Sequence, residues 1–435
     1  MGIWLFGSEW KNIAGTYVSD PRVLLLIESS RAYGRGCLAG IAAYLRNHRP
    51  WVVCHLERSL DQGVPEAVQQ QSFDGVIARL EDHRMLRTIE RMGVPAIDIR
   101  GVFCPDRGAS FDTDPHGCAE MAWKHFRHRG YRSFAFCGYP GLKFSQQRCD
   151  HFCRFASDEG FGVDIFGVDA SGLDASGIDA SGGDVLSGDP ESLTGAIDEQ
   201  TVQKELSGEL DDHKLAKWLH RIIKPAAVLA CNDIRGRQVL SAAATAGLKV
   251  PDQLAVLGID DDEVICDLCQ PPLSSIEPDT WRIGFEAAAL LQRLMDGGPP
   301  PNERILIPPS RISVRPSTDI LMFEDRDVVA ALNYIREHAA DGIGVSDVVR
   351  NVAVSRATLE RKFRRMLDRT PREEIERIRV ERIRMLLLET TYSLDKIALM
   401  SGYKTANHLI TSFRRVTGCT PGQLRKNPSG DGPME

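Results

Sequence analysis

Short apolar runs alternate with helical patterns along the first part of the chain, from Val23 to about Ile259. Between the runs, segments such as 36–48 and 235–247 carry apolar residues three and four positions apart, the spacing of an amphipathic helix. Continuous apolar strands that alternate with helices are typical of parallel sheets covered on both faces, so we predict an α/β fold here. The runs predicted to be strands lie at 23–28, 75–79, 95–100, 134–138, 226–233 and 254–260.

Beyond Glu324 the pattern predicts almost continuous helix. One short sequence motif, called the phrase below, occurs twice in this part of the chain. Phe-Arg-Arg, with Thr-Pro one helical turn later, occurs at 363–371 and again at 413–421. Thr is a favoured N-cap, Pro suits the first helical position, and a Glu or Gln at the third position can reach back to the cap amide. We therefore expect new helices to start at Thr370 and Thr420, each after a helix that ends near its Phe-Arg-Arg.

A short helix, a turn and a second helix precede each phrase. Ser355 and Thr405 are the expected caps of the second helices, and each lies eight residues before the Phe of its phrase. This pattern predicts two helix-turn-helix units. The connecting segment 371–389 would form about 28 Å of helix, close to the ~34 Å between successive major-groove faces of B-DNA, so both second helices could enter adjacent grooves. The alternative is a helical bundle whose arginines only keep the surface soluble.

The charge distribution favours DNA binding over that alternative. The net charge is −7, but from Phe323 to the end the chain has 20 basic and 16 acidic residues, against 33 and 44 before that point. An acidic body with a basic tail indicates that only the tail meets a polyanion. We therefore predict that the tail binds double-stranded DNA.

The tail resembles the DNA-binding domain of AraC-type transcription regulators over residues 327–426, most closely in DKIALMSGY and FRRVTGCTPGQLR of the second unit. The resemblance implies base contacts from Ala357, Glu360 and Arg361, whose side chains suit a thymine methyl, a cytosine amine and a guanine edge. Thr411 stands where many relatives carry Arg, which predicts weaker base recognition by the second unit. The Arg-Arg pairs are expected to contact phosphates. The expected DNA-binding residues are Ser355, Arg356, Ala357, Glu360, Arg361, Arg364, Arg365, Ala406, Asn407, Ile410, Thr411, Arg414 and Arg415.

The body resembles the effector-binding domain of LacI/GalR-type repressors, which has a two-lobed, periplasmic-binding-protein-like fold. The similar stretches are 226–233, 247–263 and 283–319. A sugar site needs carboxylates that accept from adjacent hydroxyls, and amide or guanidinium groups that donate, inside a closed cleft. The resemblance places in the cleft Asp260, Asn232, Asp233 and Arg148 and, from the opposite lobe, Asp114 and the loop Ser30-Arg31-Ala32-Tyr33.

A LacI-like body joined to an AraC-like tail is the arrangement of a family of xylose-responsive transcription regulators. The resemblance implies control of pentose catabolic genes by a sugar effector, D-xylose above all, whose binding closes the lobes and favours a DNA-binding arrangement of a homodimer. It implies no cofactor, and it leaves open the sign of the control and a contact with RNA polymerase. The implied domain limits are 21–319 and 323–426, between an N-terminal extension at 1–20 and a disordered tail at 427–435.

One segment fits neither domain. Residues 168–184 repeat an apolar-Asp-Ala-Ser-Gly unit three times with a period of five. Asp-rich Gly repeats can supply oxygen ligands for calcium, but this period matches no calcium-binding loop, and the composition cannot bury a core. We expect a flexible surface insertion.

The cysteines indicate a reducing compartment. There are 11, an odd number without the spacing of a disulfide framework. Cys266 with Cys269, and Cys149 with Cys153, each have the spacing of half a zinc site, but His151 is the only histidine close by in sequence, so we expect thiols and no metal. The opening residues do not resemble a secretory signal and no apolar run is long enough to span a membrane, so we expect a cytoplasmic protein without a membrane partner.

An enzyme is the alternative functional class. The acidic run 260–263 could imitate the acid/base pair of a glycosidase, but contiguous acids on one loop do not face each other across a substrate at the required ~5–9 Å. No nucleophile elbow, phosphate-binding loop or zinc signature occurs in the sequence. We therefore predict that the protein is not an enzyme.

Overall fold

The computed structural model describes residues 20–56, 64–168, 201–301, 303–320 and 325–426. The predicted N-terminal extension, the insertion at 168–184 and the C-terminal tail therefore lie outside the described residues, apart from one end residue of each of the first two. The described residues form two compact units, one that ends at Ile320 (residues 128–130 aside) and one that begins at Asp325.

Strands and helices alternate along the first unit, as the apolar pattern predicts. Its elements are β1 (Arg22–Leu26), α1 (Ala32–Asn47), β2 (Val52–His55), α2 (Glu66–Gln69), β3 (Gly75–Ala78), α3 (His83–Glu90), β4 (Ala96–Asp98), β5 (Gly108–Thr113), α4 (Pro115–His128), β6 (Ser133–Cys137), α5 (Lys143–Asp158), β7 (Val163–Phe166), α6 (Thr201–Glu209), α7 (Asp212–Arg221), β8 (Ala226–Ala230), α8 (Asp233–Thr245), β9 (Leu254–Ile259), α9 (Glu263–Leu268), β10 (Ser274–Pro278), α10 (Thr280–Met295), β11 (Ile305–Ile307) and β12 (Pro309–Ser313).

Two six-stranded sheets define two lobes in this unit. The sheet of the first lobe has the order β11-β5-β4-β3-β1-β2, and its paired strands are parallel. The sheet of the second lobe has the order β12-β10-β9-β8-β6-β7, with β12 antiparallel to β10 and the other pairs parallel. The chain passes between the lobes after β5, after β10 and after β11. The predicted two-lobed fold with parallel sheets is confirmed.

Strands in the middle of each sheet are buried on both faces, which explains why apolar runs predict them. In β1, Val23 and Leu25 pack into one hydrophobic cluster, whereas Leu24 and Leu26 pack into another on the opposite face. Burial of such a side chain stabilises the fold by about 1.5–3 kcal/mol. A helix layer on each face is what makes a continuous apolar strand favourable.

The strands that the apolar runs do not predict are short, polar or at an edge. β2 is an edge strand in which Val52 is 53% and Val53 is 40% exposed. β11 has three residues, and β5 (GASFDT) and β10 (SSIEP) mix polar and apolar side chains. Such segments gain their strand structure from pairing with neighbours rather than from their own composition.

The second unit is helical. Its elements are α11 (Arg326–His338), a 3-10 turn (Ala339–Asp341), α12 (Val345–Val352), α13 (Arg356–Leu367), α14 (Pro371–Glu389), α15 (Leu394–Met400), α16 (Ala406–Thr417) and α17 (Pro421–Lys426).

The predicted helix starts are confirmed by their hydrogen bonds. The hydroxyl oxygens that cap α13 and α16 accept from the backbone amides three residues on. At α14 the cap is reciprocal: the Glu373 amide donates to Thr370 Oγ1 at 3.3 Å, and the Thr370 amide donates to Glu373 Oε2 at 2.6 Å. Thr420 and Gln423 form the same arrangement at α17.

Helix α14 is shared by two hydrophobic clusters. Phe363 is fully buried in the first cluster, to which α14 contributes Ile375. Phe413 is fully buried in the second, to which α14 contributes Val380 and Ile383. The two helix-turn-helix units are thus packed against the two halves of one helix.

Candidate effector cleft and nucleic-acid interface

A cleft between the two lobes collects the side chains that follow the carboxyl ends of parallel strands. Its empty volume is about 690 Å³, part of it open to solvent. Ligands of open α/β sheets bind at this end of the strands, because successive loops meet there. The cleft is lined by Arg31, Ala32, Tyr33, Arg79, Arg100, Asp112, Phe144, Arg148, Glu205, Asn232, Asp233, Ile234, Asp260, Asp262 and Ile265.

Asp260 lies directly after β9 and presents a carboxylate to the cleft. Its backbone φ is 122°, a value that L-residues rarely adopt and that is typical of strained positions in functional sites. Burial raises the pKa of Asp260 to about 6, although the positive charges of Arg148, Arg79 and Arg31 oppose the shift. One Asp260 oxygen lies 3.9 Å from Arg148 Nη2. Asp260 is therefore an acceptor with a donor beside it.

Arg148 projects from α5 and is held on two sides. One guanidinium nitrogen donates to the Cys231 carbonyl, and the group lies 5.3 Å from the centre of the Phe144 ring. The side chain is 9% exposed. These contacts fix the orientation of the guanidinium toward Asp260 before any ligand is present.

Asn232 caps helix α8 and still has a donor to offer. Its Oδ1 accepts from the Arg235 amide at 2.9 Å, and its Nδ2 donates to Glu205 Oε1 at 2.9 Å. An amide nitrogen carries two hydrogens, so one N–H remains for a ligand in the cleft.

Asp233 lines the cleft, but its carboxylate serves the loop after β9. Its oxygens accept from the hydroxyl of Ser275 at 2.5 Å and from the amide of Asp262 at 2.8 Å, and the Cys266 thiol donates at 3.5 Å. Burial, and then the charge of Asp260, raise the pKa of Asp233 to about 7. Asp233 thus lies in the cleft lining while its hydrogen bonds support the loop that carries Asp260, and a contact of Asp233 with a ligand stays a prediction.

Glu205 is a cleft residue that the sequence analysis did not identify. It lies on α6 of the second lobe, is 5% exposed, and pairs with Arg31 of the first lobe. The two Arg31 nitrogens donate to the two Glu205 oxygens at 2.6 and 3.0 Å. The backbone amide of Ala32 donates to Asp262 Oδ2 at 2.9 Å, which adds a second contact between the lobes.

Arg79, Arg100 and Asp112 are further cleft residues that the sequence did not indicate. Arg79 lies 2.5 Å from Glu28, and its guanidinium lies 5.2 Å from the centre of the Tyr33 ring. Burial raises the pKa of Asp112 to about 6. Arg79 and Arg100 follow strands of the first lobe and Asp112 lies near the end of β5, so these positions become visible only when the strand order is known.

The recognition helices α13 and α16 expose most of the residues predicted to contact DNA. The arginines of these helices face solvent, while Leu359, Phe363, Leu409 and Phe413 pack inward, which gives each helix one accessible face. Glu360, Ala406 and Ile410 are half-buried. The exposed residues are Ser355, Arg356, Ala357, Arg361, Arg364, Arg365, Asn407, Thr411, Arg414 and Arg415.

Several of the residues predicted to contact DNA also bind other groups of the protein. Glu360 accepts from Arg356 one turn earlier, at 2.9 Å. Arg415 pairs with Glu376 of α14, which also accepts from the Ser412 hydroxyl at 2.6 Å. A phosphate contact from Arg415 would have to compete with that carboxylate, whereas Arg414 is exposed on the same turn of α16.

Three family models match successive parts of the chain. The XylR N-terminal domain matches residues 22–109, a periplasmic binding protein-like domain matches residues 123–318, and a helix-turn-helix domain matches residues 348–427. The xylose operon regulatory protein of Escherichia coli (strain K12) is 28% identical over 418 residues, which cover 94% of this chain and 98% of that relative. The chain is similar to this xylose operon regulatory protein over nearly its whole length.

Other similarities also extend over nearly the whole chain. The xylose operon regulatory protein of Haemophilus influenzae is 26% identical over 417 residues, which cover 93% of this chain and 98% of that relative. A solved structure of the xylose-binding transcription activator xylR matches with a TM-score of 0.54 and 28% identity, covering 94% of this chain and 99% of the other. The predicted order of a LacI-like body and an AraC-like tail is confirmed, and the individual site residues stay predictions.

The structure gives Asp114 and the acidic run 260–263 partners within the protein. Asp114 is absent from the cleft lining, and its carboxylate accepts from the His116 amide at 3.0 Å at the start of α4. Asp112, two residues earlier, lines the cleft instead. In the run 260–263, Asp261 pairs with Arg315 at 2.8 Å, Asp262 accepts from the Ala32 amide, and Asp260 lies beside Arg148. These carboxylates therefore do not form an opposed pair.

The cysteines are free thiols, and Cys149 Sγ lies 3.9 Å from Cys153 Sγ on one face of α5. Within the described ranges, no three His, Cys, Asp or Glu side chains come together as a metal site requires. None of the helices in those ranges has both the length and the apolar content needed to cross a membrane.

Proposed function

We propose that this protein is a cytoplasmic transcription regulator that responds to D-xylose and is not an enzyme. Its relatives of nearly equal length are named xylose operon regulatory proteins. In this chain, the observation that carries the proposal is the cluster of Asp260, Arg148 and Asn232 in the cleft. It sets one acceptor and two donors side by side, as recognition of adjacent hydroxyl groups requires.

The charges around the cleft favour a neutral ligand. Each guanidinium that lines it faces a carboxylate: Arg31–Glu205 at 2.6 Å, Arg79–Glu28 at 2.5 Å, Arg100–Glu81 at 2.5 Å and Arg148–Asp260 at 3.9 Å. An anionic ligand would have to separate such a pair, whereas a hydroxyl group can donate to the carboxylate and accept from the guanidinium. The Phe144 ring supplies apolar surface for the C–H face of a sugar.

The second unit is proposed to bind DNA with α13 and α16 in adjacent major grooves. Arg361 is exposed on α13 and has the donor geometry that suits a guanine edge. Arg364, Arg365 and Arg414 are the proposed phosphate contacts. Thr411, whose hydroxyl donates to the Asn407 carbonyl at 2.9 Å, is proposed to contribute little to base recognition.

Regulation requires that the sugar bind the two arrangements of the protein with different affinity, because equal affinity shifts no equilibrium. We propose that D-xylose favours the closed lobes and thereby the DNA-binding arrangement of a homodimer. We propose residues 21–319 as the sugar-binding domain and residues 323–426 as the DNA-binding domain. The genes controlled are proposed to be those of pentose catabolism, at promoters where the protein can contact RNA polymerase.

A thermal-shift panel of monosaccharides tests the effector. The melting temperature should rise with D-xylose, and by less with its epimers, because a ligand stabilises the folded state by RT ln(1 + [L]/Kd). The same incubations, analysed for sugar products, test the absence of turnover. A panel without any shift, or conversion of a sugar, would contradict the proposal.

A further inference from the structure

The first recognition helix is tied to the first residues of the second unit by one lysine. Lys362 Nζ on α13 lies 2.8 Å from Asp325 Oδ2 and 2.5 Å from Asp327 Oδ2. Asp325 is the N-cap of α11, and its carboxylate also accepts from the amides of Asp327 and Val328. The ammonium group therefore joins the middle of α13 to the start of α11.

The tie is partly shielded from solvent and stays charged. The side chains of Lys362 and Asp325 are 22% and 15% exposed. Hydrogen bonds to Asp325 and then to Asp327 raise the pKa of Lys362. Burial acts to raise the pKa of Asp325, but the hydrogen bonds from Lys362 and from two backbone amides outweigh it and hold this pKa below its ordinary value.

Lys362 lies next to a proposed base contact and to a residue of the hydrophobic core. Its neighbours on α13 are Arg361, which is exposed, and Phe363, which is fully buried. Asp325 lies five residues along the chain from Ile320, the last described residue of the first unit. The start of α11 is therefore in direct contact with the helix that carries Arg361.

The equivalent residue of the second helix-turn-helix unit makes a different connection. Alignment of the two Phe-Arg-Arg phrases places Lys362 opposite Ser412. The Ser412 hydroxyl donates to Glu376 of α14 at 2.6 Å and lies 3.0 Å from the Tyr403 hydroxyl. Both recognition helices pack on their own units through buried apolar residues, but at this position the second has a polar tie to α14 and the first has a polar tie to the start of α11.

We propose that Lys362 is a positioning residue through which the sugar-binding unit controls the first recognition helix. This inference rests on the proposed function. Lys362 acts by holding α13 on the start of α11 and need not touch DNA, so its loss uncouples the two units without removing either binding site. DNA binding by the first helix-turn-helix unit then depends on sugar, while the contribution of the second unit to DNA affinity is the same with and without sugar.

The experiment compares DNA affinity with and without saturating D-xylose in full-length variants. The probe is a duplex selected from a random-sequence library by the wild-type chain in the presence of D-xylose. The ratio of the two dissociation constants measures the coupling, which for allosteric proteins is typically about 5- to 150-fold. Lys362→Met should bring the ratio to within about twofold of one, and Lys362→Arg, which can reach both carboxylates, should retain most of it.

Ser412→Ala is the matched control, because it removes the equivalent tie of the second unit. It should weaken DNA binding with and without sugar by the same factor and leave the ratio unchanged. Calorimetric titration of D-xylose should give the wild-type dissociation constant for Lys362→Met, which shows that the variant is folded. A wild-type ratio in Lys362→Met, or an equal loss of ratio in Ser412→Ala, overturns this inference alone. A ratio of one in the wild-type chain overturns the proposed function and this inference with it.

Discussion

Arg31 and Glu205 connect the two lobes across the cleft with two parallel hydrogen bonds, of 2.6 and 3.0 Å. The same carboxylate accepts from the amide of Asn232 at 2.9 Å. One side chain of the second lobe therefore holds both a guanidinium of the first lobe and a proposed sugar donor. Closure of the lobes and orientation of the site depend on the same group.

Glu205→Gln should weaken D-xylose binding by about ten- to a hundredfold, because the amide fills the same space but loses a charge-assisted pair of about 1.5–3 kcal/mol. Isothermal titration calorimetry measures the change. Glu209→Gln is the control on the same helix, since Glu209 pairs with Arg237 at a site where both side chains are more than 40% exposed. Equal affinities for Glu205→Gln and wild type would contradict the role of Glu205.

Asp260→Ala should abolish the rise in melting temperature on addition of D-xylose, because it removes the acceptor for the ligand hydroxyls. The protein without sugar should remain folded. Asp114→Asn should keep the full response, since Asp114 is absent from the cleft lining and an Asn oxygen can still accept from the His116 amide. A sugar response that survives in Asp260→Ala would show that the cleft assignment is wrong.

Stability and sugar affinity should respond to pH in opposite directions. Burial raises the pKa of Asp260 to about 6 in the folded protein, above the ordinary value of 3.8. The folded state therefore binds this proton more tightly than the unfolded state, and the sugar-free protein gains stability as pH falls through about 6. A protonated Asp260 has lost acceptor capacity, so D-xylose should bind more weakly over the same range.

Melting curves and calorimetric titrations at several pH values check both trends. Asp260→Asn should reduce the pH dependence of sugar affinity, because an amide does not titrate. Asp112, with a pKa raised by burial to about 6, should contribute to the same stability window. Sugar affinity that increases as the pH is lowered would contradict the assignment of Asp260 as acceptor.

Arg361, Arg414 and Arg415 should differ in their contributions to DNA binding. Arg361→Ala should cost about 1–3 kcal/mol and relax the preference at one base pair. Arg414→Ala should weaken all sequences alike and reduce the salt slope by about one. Arg415→Ala should change the salt slope less, because its guanidinium is paired with Glu376. Binding to single-base operator variants at two salt concentrations distinguishes these effects, and identical profiles for the three variants would defeat the assignment.

The sequence predicted the parts of the fold that depend on local pattern. Strands such as β1 and β8 are continuous apolar runs, and the caps Thr370 and Thr420 carry their own acceptor chemistry, so both were identified without a structure. Edge strands such as β2 lack that signal, because solvent on one side permits mixed side chains.

Cleft residues were predictable only where a family motif marks them. Glu205 lies on a helix of ordinary surface composition, and only the folding of α6 onto α8 and toward Arg31 buries its carboxylate. Asp114 was named from a family motif, whereas Asp112, which lies in the cleft lining two positions earlier, was not identified because the end of β5 cannot be read from its polar sequence. Whether such a residue lies in the cleft depends on contacts between distant parts of the chain, and not on the composition of its own segment.

With α13 and α16 in adjacent major grooves, as proposed, the shared helix α14 would fix the phase between protein and operator. An added residue in an α-helix turns everything beyond it by about 100° and advances it by ~1.5 Å, whereas an added base pair turns B-DNA by about 35°. Neither change compensates for the other, and both hydrophobic clusters depend on α14 keeping its register. The spacing between the two helix-turn-helix units and the spacing between the two halves of the operator can therefore not change together by one residue and one base pair at a time. Length changes in this helix should be far rarer among working descendants of this chain than substitutions on its exposed face.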